Sequence, residues 1–215
     1  MKEPVQIVRA GYDAIAARYL RWIDQIADDP RLRFLQEVQD RLPDKSMVVD
    51  LGCGAGVPCT ALLAKRHSVT GVDISGEQIR LAREFVPAAQ FEQHDLATLD
   101  LAPASLDAVT AFYSLTHVPR DQHGALLGRI RTWLRPGGLL LATFSASGLS
   151  DVVQHDFLGV PMFFSGFDAA TNRRLVIEAG FAIELDEIVT MHEPEGPATF
   201  LWLLARAAGR GTCPA

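Results

Sequence analysis

From Ser46 onward, short apolar and β-branched runs alternate with segments of helical length, and no other feature limits the fold as much. Met47–Leu51, His67–Val72, Gln90–Glu92, Leu106–Phe112 and Leu139–Phe144 read as strands. Between them lie helical patterns: Pro58–Arg66, a stretch opened by a Ser75/Gln78 capping box, and one capped by Asp121 with Leu126, Leu127, Ile130, Trp133 and Leu134 on one face. Parallel strands need crossovers of that length, so the pattern predicts an α/β protein with a doubly wound, mostly parallel sheet. A helix capped by Asp168 and closed by Gly180 leads to two final strands, Ala182–Val189 and Thr199–Arg206. Ahead of the sheet, Val5–Ala27 and a second helix from Pro30 carry helical spacing. The expected division is a helical cover segment over 1–44, one compact domain over 45–208 and a loose tail over 209–215. With 215 residues, the chain has little room for a second core.

Composition narrows the partners. A net charge of −6 and no Lys/Arg cluster longer than a pair argue against a nucleic-acid backbone as partner. No apolar run approaches a membrane span and no secretory signal is legible, so the expected setting is cytoplasmic with no membrane partner. Cys53, Cys59 and Cys213 form no disulfide framework, and no His, Cys or carboxylate spacing predicts a metal. Oligomeric state leaves no mark on the sequence.

The chemistry gathers at the carboxyl ends of the predicted strands, where ligands bind to such sheets. Asp50-Leu51-Gly52-Cys53-Gly54-Ala55-Gly56 is a glycine-rich strand–helix turn, spaced GxGxG and not GxGxxG. A carboxylate at its mouth repels a pyrophosphate but suits a ligand bearing an ammonium group. That favours an amino-acid-like cofactor over a dinucleotide. Asp73 ends the second strand, where an acid accepts hydrogen bonds from both hydroxyls of a ribose. Asp95 is placed to accept an adenine amine while the Leu96 N–H donates to the ring; the competing reading is a turn aspartate.

Taken with Leu134-Arg135-Pro136-Gly137-Gly138, these motifs resemble the class I S-adenosylmethionine-dependent methyltransferases of small-molecule type, from about Tyr12 to Arg206. The resemblance implies a Rossmann-like, seven-stranded sheet with an antiparallel last strand, and S-adenosylmethionine as cofactor, left as S-adenosylhomocysteine. It implies that Asp50 with Gly52, Gly54 and Gly56 holds the methionine part, Asp73 and Ile74 the ribose side, and Asp95 and Leu96 the adenine. Tyr12, Arg18 and Tyr19 then belong to a leading helix that folds over the cofactor, and Tyr113, just after the fourth strand, joins the cofactor-binding residues. Tyr113-Ser114-Leu115-Thr116-His117 lacks the Asn/Asp-Pro-Pro-Tyr/Phe motif of adenine and glutamine methyltransferases, which points to a small acceptor.

A sulfonium methyl needs chiefly alignment, and a general base helps when the acceptor is a hydroxyl. His117 is the candidate base. Gly148–Phe167 reads as a long apolar loop, with Met162, Phe163 and Phe164 expected to wall the acceptor pocket as a lid; the competing reading packs the loop into the core. The competing accounts are a non-catalytic S-adenosylmethionine-binding regulator and a nicotinamide-dependent oxidoreductase. Asp50, the glycine spacing and the missing Tyr-x-x-x-Lys pair count against the latter.

Overall fold

The computed structural model describes residues 3–26 and 28–209. The tail from 210, with Cys213, therefore lies outside the described residues. Among the described residues, nine strands and six α-helices follow in chain order. Helices α1 (Pro4–Ile23) and α2 (Arg31–Arg41) precede β1 (Met47–Leu51), α3 (Cys59–Leu63), β2 (Ser68–Asp73), α4 (Gly76–Phe85), β3 (Gln90–Gln93) and β4 (Leu106–Ala111). Then come α5 (His123–Trp133), β5 (Leu134–Ser145), β6 (Leu149–Phe157), β7 (Val160–Gly166), α6 (Ala169–Glu178), β8 (Phe181–Glu193) and β9 (Gly196–Ala207). The main sheet has seven strands in the order β3-β2-β1-β4-β5-β9-β8. β1 to β5 pair in parallel and β9 is antiparallel to both its neighbours, as the family resemblance implies.

Two apolar layers clamp the sheet. On one face α5 and α6 bring Leu126, Leu127, Ile130, Trp133 and Val176 onto Val49, Val109, Leu140 and Leu203. On the other, Phe34, Leu35 and Val38 of α2 pack with Leu63 of α3 on Val48, Leu139 and Trp202. α2 is thus part of the sheet's own helical layer and not part of a cover. Phe34 stacks on Trp202 with ring centroids 4.5 Å apart. The cover is α1, whose Val8 and Ile15 pack on Met162 and Phe163 of β7. Gly11 permits that approach: a Cβ there would stand 2.7 Å from the Met162 methyl.

Three expectations change. The loop expected over 148–167 is a two-stranded antiparallel hairpin, β6–β7, whose backbone groups pair with each other across Val152–Val153 and Phe163–Phe164. Asp121 does not cap α5; it sits in a 3₁₀ turn over Arg120–Gln122, and the helix starts at His123. α3 has one regular stretch of five residues where Pro58–Arg66 was expected. Among the described residues no helix is long and apolar enough to cross a membrane.

Candidate active site

Strand order reverses between β1 and β4, and two cavities meet above that point. The first, of about 270 Å³, is lined by Gly52, Gly54, Asp73, Ile74, Gln78, Asp95 and Leu96 from the strand ends, with Tyr12 and Tyr19 closing it from α1. The second, of about 360 Å³, lies between α1, the β6–β7 hairpin and the β8–β9 turn. Tyr12, Tyr19, Tyr113 and His117 line both. They form the boundary across which anything passes from one cavity to the other.

The glycine turn is shaped by its neighbours. Gly52 has φ +72°, and a Cβ would stand 2.2 Å from the Ser114 Cβ. Ser114 in turn donates its hydroxyl to the Leu51 carbonyl at 2.7 Å. This clasp joins the ends of β1 and β4. Tyr113 beside it holds φ +57°, unusual for a non-glycine residue, with its N–H given to the Thr143 hydroxyl. Strain held by neighbouring contacts is common where a side chain must be aimed, and the Tyr113 ring borders both cavities.

Asp73 lies 8% exposed at the end of β2. One carboxylate oxygen accepts the Gly54 N–H and the other the Ser75 N–H, each at 2.9 Å. Burial pushes its pKa up to about 6, against the lowering effect of those two N–H donors. Each oxygen keeps further lone-pair capacity towards the cavity. Asp95 also lines this cavity, and it makes the turn contact of the competing reading by accepting the Ala97 N–H at 2.9 Å.

Asp50 differs from expectation. It is 2% exposed, its oxygens accept the hydroxyls of Thr60 at 2.6 Å and Thr110 at 2.8 Å, and it borders only a small recess behind the glycine turn. Burial raises its pKa while the two threonines oppose the rise. Its first task is to tie β1, α3 and β4 together. Thr110→Val is therefore expected to destabilise the fold by about 1–3 kcal/mol, because half of a buried carboxylate loses its donor. Denaturant unfolding checks this, and an unchanged midpoint would show that Asp50 does not depend on that bond.

Several other candidates move. Gly56 packs against Val86 and Phe91 and lines none of the cavities, because the chain has already turned into α3 there. Arg18 is exposed and donates to the Leu158 carbonyl, tying α1 to the hairpin tip instead of covering the cofactor. Met162 and Phe163 are 0% and 3% exposed against α1 and border neither cavity; of the expected acceptor wall, Phe164 remains, together with His117. Among the described residues no cluster of three or more metal-ligating side chains occurs.

The sequence reading also missed residues that the fold brings in. Ser75 caps α4 by accepting the Gln78 N–H at 3.1 Å, and gives its own proton to Asp13 of α1 at 2.6 Å. The Gln78 side chain does not return to complete the capping box. It lines the first cavity with its Nε2 buried and unpartnered among the described residues. A buried amide donor without a partner costs stability unless a ligand supplies an acceptor. With the Asp73 carboxylate and the open glycine turn, this donor set suits a ribose-bearing amino-acid conjugate such as S-adenosylmethionine. The second cavity carries Arg31, Asp156, Glu193 and Glu195. Arg31 is paired with Asp29 at 2.5 Å, and Glu195 accepts the Trp22 indole N–H at 2.8 Å. Glu193 is pushed up to about 7 by burial and by Glu195 and Asp29.

Comparisons agree with this geometry. Residues 48–138 match the family model described as a methyltransferase domain. The chain is 41% identical over 118 residues to the trans-aconitate 2-methyltransferase of Variovorax paradoxus, covering 53% of this chain and 44% of that one. It thus spans under half the length of that relative. The crystal structure of the Burkholderia thailandensis 1,6-didemethyltoxoflavin-N1-methyltransferase, holding its substrate and S-adenosylhomocysteine, superposes with a TM-score of 0.73 at 22% identity, over 97% of this chain and 92% of that one. The [4+2]-cyclase SpnF gives 0.71 at 18% identity, over 97% and 98%. The fold is that of the class I, Rossmann-like methyltransferases, and residues 48–138 within it match the methyltransferase domain model. The part matched by the family model runs from β1 into β5 and holds the glycine turn, Asp73 and Asp95.

Proposed function

We propose that this protein transfers the methyl group of S-adenosylmethionine to an oxygen or nitrogen atom of a small, partly apolar metabolite. The observation that carries this is the meeting of two cavities at Tyr12, Tyr19, Tyr113 and His117. The first cavity offers Asp73 to a ribose, Asp95 and Leu96 to an adenine, and Gly52, Gly54 and Gln78 to the methionine part. Bound there, S-adenosylmethionine supplies a methyl group already activated as a sulfonium, so the protein's task is alignment and exclusion of water. The second cavity offers the rings of Trp22, Phe157, Phe164 and Phe200 to an apolar acceptor body. Incubation with methyl-labelled cofactor and a low-molecular-weight metabolite extract tests the reading: a labelled small product is expected. Tight binding of S-adenosylhomocysteine without turnover of any acceptor would instead support a regulatory protein, and SpnF shows that the fold alone does not fix the reaction.

The relatives named for trans-aconitate, a tricarboxylate, suggest an anionic acceptor, but the charges around the second cavity do not. Its one guanidinium is already paired, leaving Asp156, Glu193 and Glu195. Trans-aconitate is expected to bind the S-adenosylhomocysteine complex on the order of tenfold more weakly than an uncharged aromatic of similar size. Calorimetry on the two ligands decides, and tighter binding of trans-aconitate would overturn this view of the cavity.

A further inference from the structure

The boundary between the cavities contains a hydrogen-bond chain whose direction can be worked out. His117 Nδ1 lies 2.8 Å from the Phe163 carbonyl oxygen of β7. A carbonyl only accepts, so Nδ1 carries the proton and Nε2 presents a lone pair. The Tyr12 hydroxyl lies 2.8 Å from that Nε2 and therefore donates its proton to it. What Tyr12 Oη shows to the rest of the cavity is lone pairs alone. The ring of Phe164 lies 4.9 Å from the His117 ring and that of Tyr12 5.2 Å away, fixing the imidazole from two sides.

Resting on the methyl-transfer reading above, we infer that the methyl acceptor is a hydroxyl whose proton leaves through Tyr12 Oη to His117 Nε2. Tyr12 is then the group that touches the acceptor, and His117 acts through it. In the step, the acceptor O–H proton passes to Tyr12 Oη as the Tyr12 proton passes to His117 Nε2. The acceptor oxygen's electron pair forms the bond to the methyl carbon, while the carbon–sulfur pair remains on sulfur. The positive charge that leaves sulfur appears on the imidazole, so no charge is created in the buried site. A carboxylate acceptor fits poorly, because it has no proton to give and meets only lone pairs on Tyr12.

The surroundings agree with this direction. Burial pushes the Tyr12 pKa well above its usual value, with Tyr19, Asp73 and Glu193 adding to the rise, so its proton stays in place. His117 is lowered to about 4 by burial, with the Phe163 carbonyl opposing the fall. The groups facing the imidazole are Tyr12 from α1 and the Phe163 carbonyl and Phe164 ring from β7. It is thus neutral from roughly pH 5 to 8, with the Nε2 lone pair directed at Tyr12.

The test starts without an acceptor. In protein labelled with ¹⁵N-histidine and loaded with S-adenosylhomocysteine, His117 is expected to show the Nδ1–H tautomer and no titration from roughly pH 5 to 8. An Nε2–H tautomer, or titration near the usual histidine value, overturns the inference. Failure to bind S-adenosylhomocysteine at all overturns instead the reading on which it rests. In methyl transfer to the extract at saturating cofactor, Y12F and H117A are each expected to lower turnover by about 10²–10⁴-fold. The double variant should lose no more than the worse single one, because the two act as one chain. Additive losses, or a Y12F enzyme with normal turnover, remove Tyr12 from the path of the proton.

Discussion

Replacing Asp73 with alanine is expected to weaken S-adenosylhomocysteine binding by on the order of 10²–10⁴-fold, the largest single effect on ligand affinity at this site. On the proposed reading, two charged hydrogen bonds to ribose hydroxyls contribute about 1.5–3 kcal/mol each, or roughly 3–6 kcal/mol together. The same carboxylate also holds the Gly54 and Ser75 N–H groups. Its loss therefore releases the glycine turn and the start of α4 together, and some stability goes with the affinity. Asp73→Asn separates the two roles in part, since it keeps the side-chain volume and one acceptor oxygen. It should bind better than the alanine variant and worse than the native protein.

The pH dependence of binding follows from the same group. Burial holds the Asp73 pKa at about 6 in the free protein. Ribose hydroxyls donate to the ionised form, so binding favours ionisation and the pKa falls in the complex. Affinity should be level above about pH 6 and decline below it, by about tenfold per pH unit until the carboxyl of the complex itself titrates. Calorimetry between pH 5 and 8 measures this directly. Affinity that is flat through pH 6, together with an alanine variant that binds normally, would show that the ribose is held elsewhere.

Asp73 also shows why much of this site was legible before the fold. Strand ends are fixed by apolar runs, and a residue at the end of a buried strand has one place to go. Asp73, Ile74, Asp95, Leu96, Gly52 and Gly54 therefore come together along the first cavity. Asp50 misled because sequence shows an acid beside a glycine turn but not the two threonines, one from α3 and one from β4, that occupy its oxygens. Gln78 was read as a backbone cap; only tertiary packing shows its amide turned to the cavity. The second cavity was the least legible part. It is assembled from α1, a hairpin and the far ends of β8 and β9, segments distant in sequence whose meeting no local pattern records. The apolar load of 157–164 was visible, but the pairing that divides it between core and cavity was not.

That division yields the second large effect, one on stability and one on catalysis from adjacent residues. Phe163 is 3% exposed among Val8, Ile15 and Met162, so Phe163→Ala is expected to destabilise the protein by about 3–5 kcal/mol. It should also loosen α1 over the cofactor cavity, since this cluster is the apolar contact between helix and hairpin. Phe164 is only part buried, lies beside His117 and borders the second cavity. Phe164→Ala is expected to cost less stability than Phe163→Ala while raising the acceptor KM, because the ring packs only at the edge of that cluster and borders the cavity. A freely mobile lid predicts the same small stability change for both residues. A wholly buried hairpin predicts the large one for both. Denaturant unfolding of the two variants, run beside acceptor kinetics, separates these cases. The hairpin is a fixed wall, anchored by Phe163 and presenting Phe164, if stability falls in the first variant and acceptor binding in the second. Equal losses of either kind would sink that account, and with it the argument that the Phe163 carbonyl holds His117 in one tautomer.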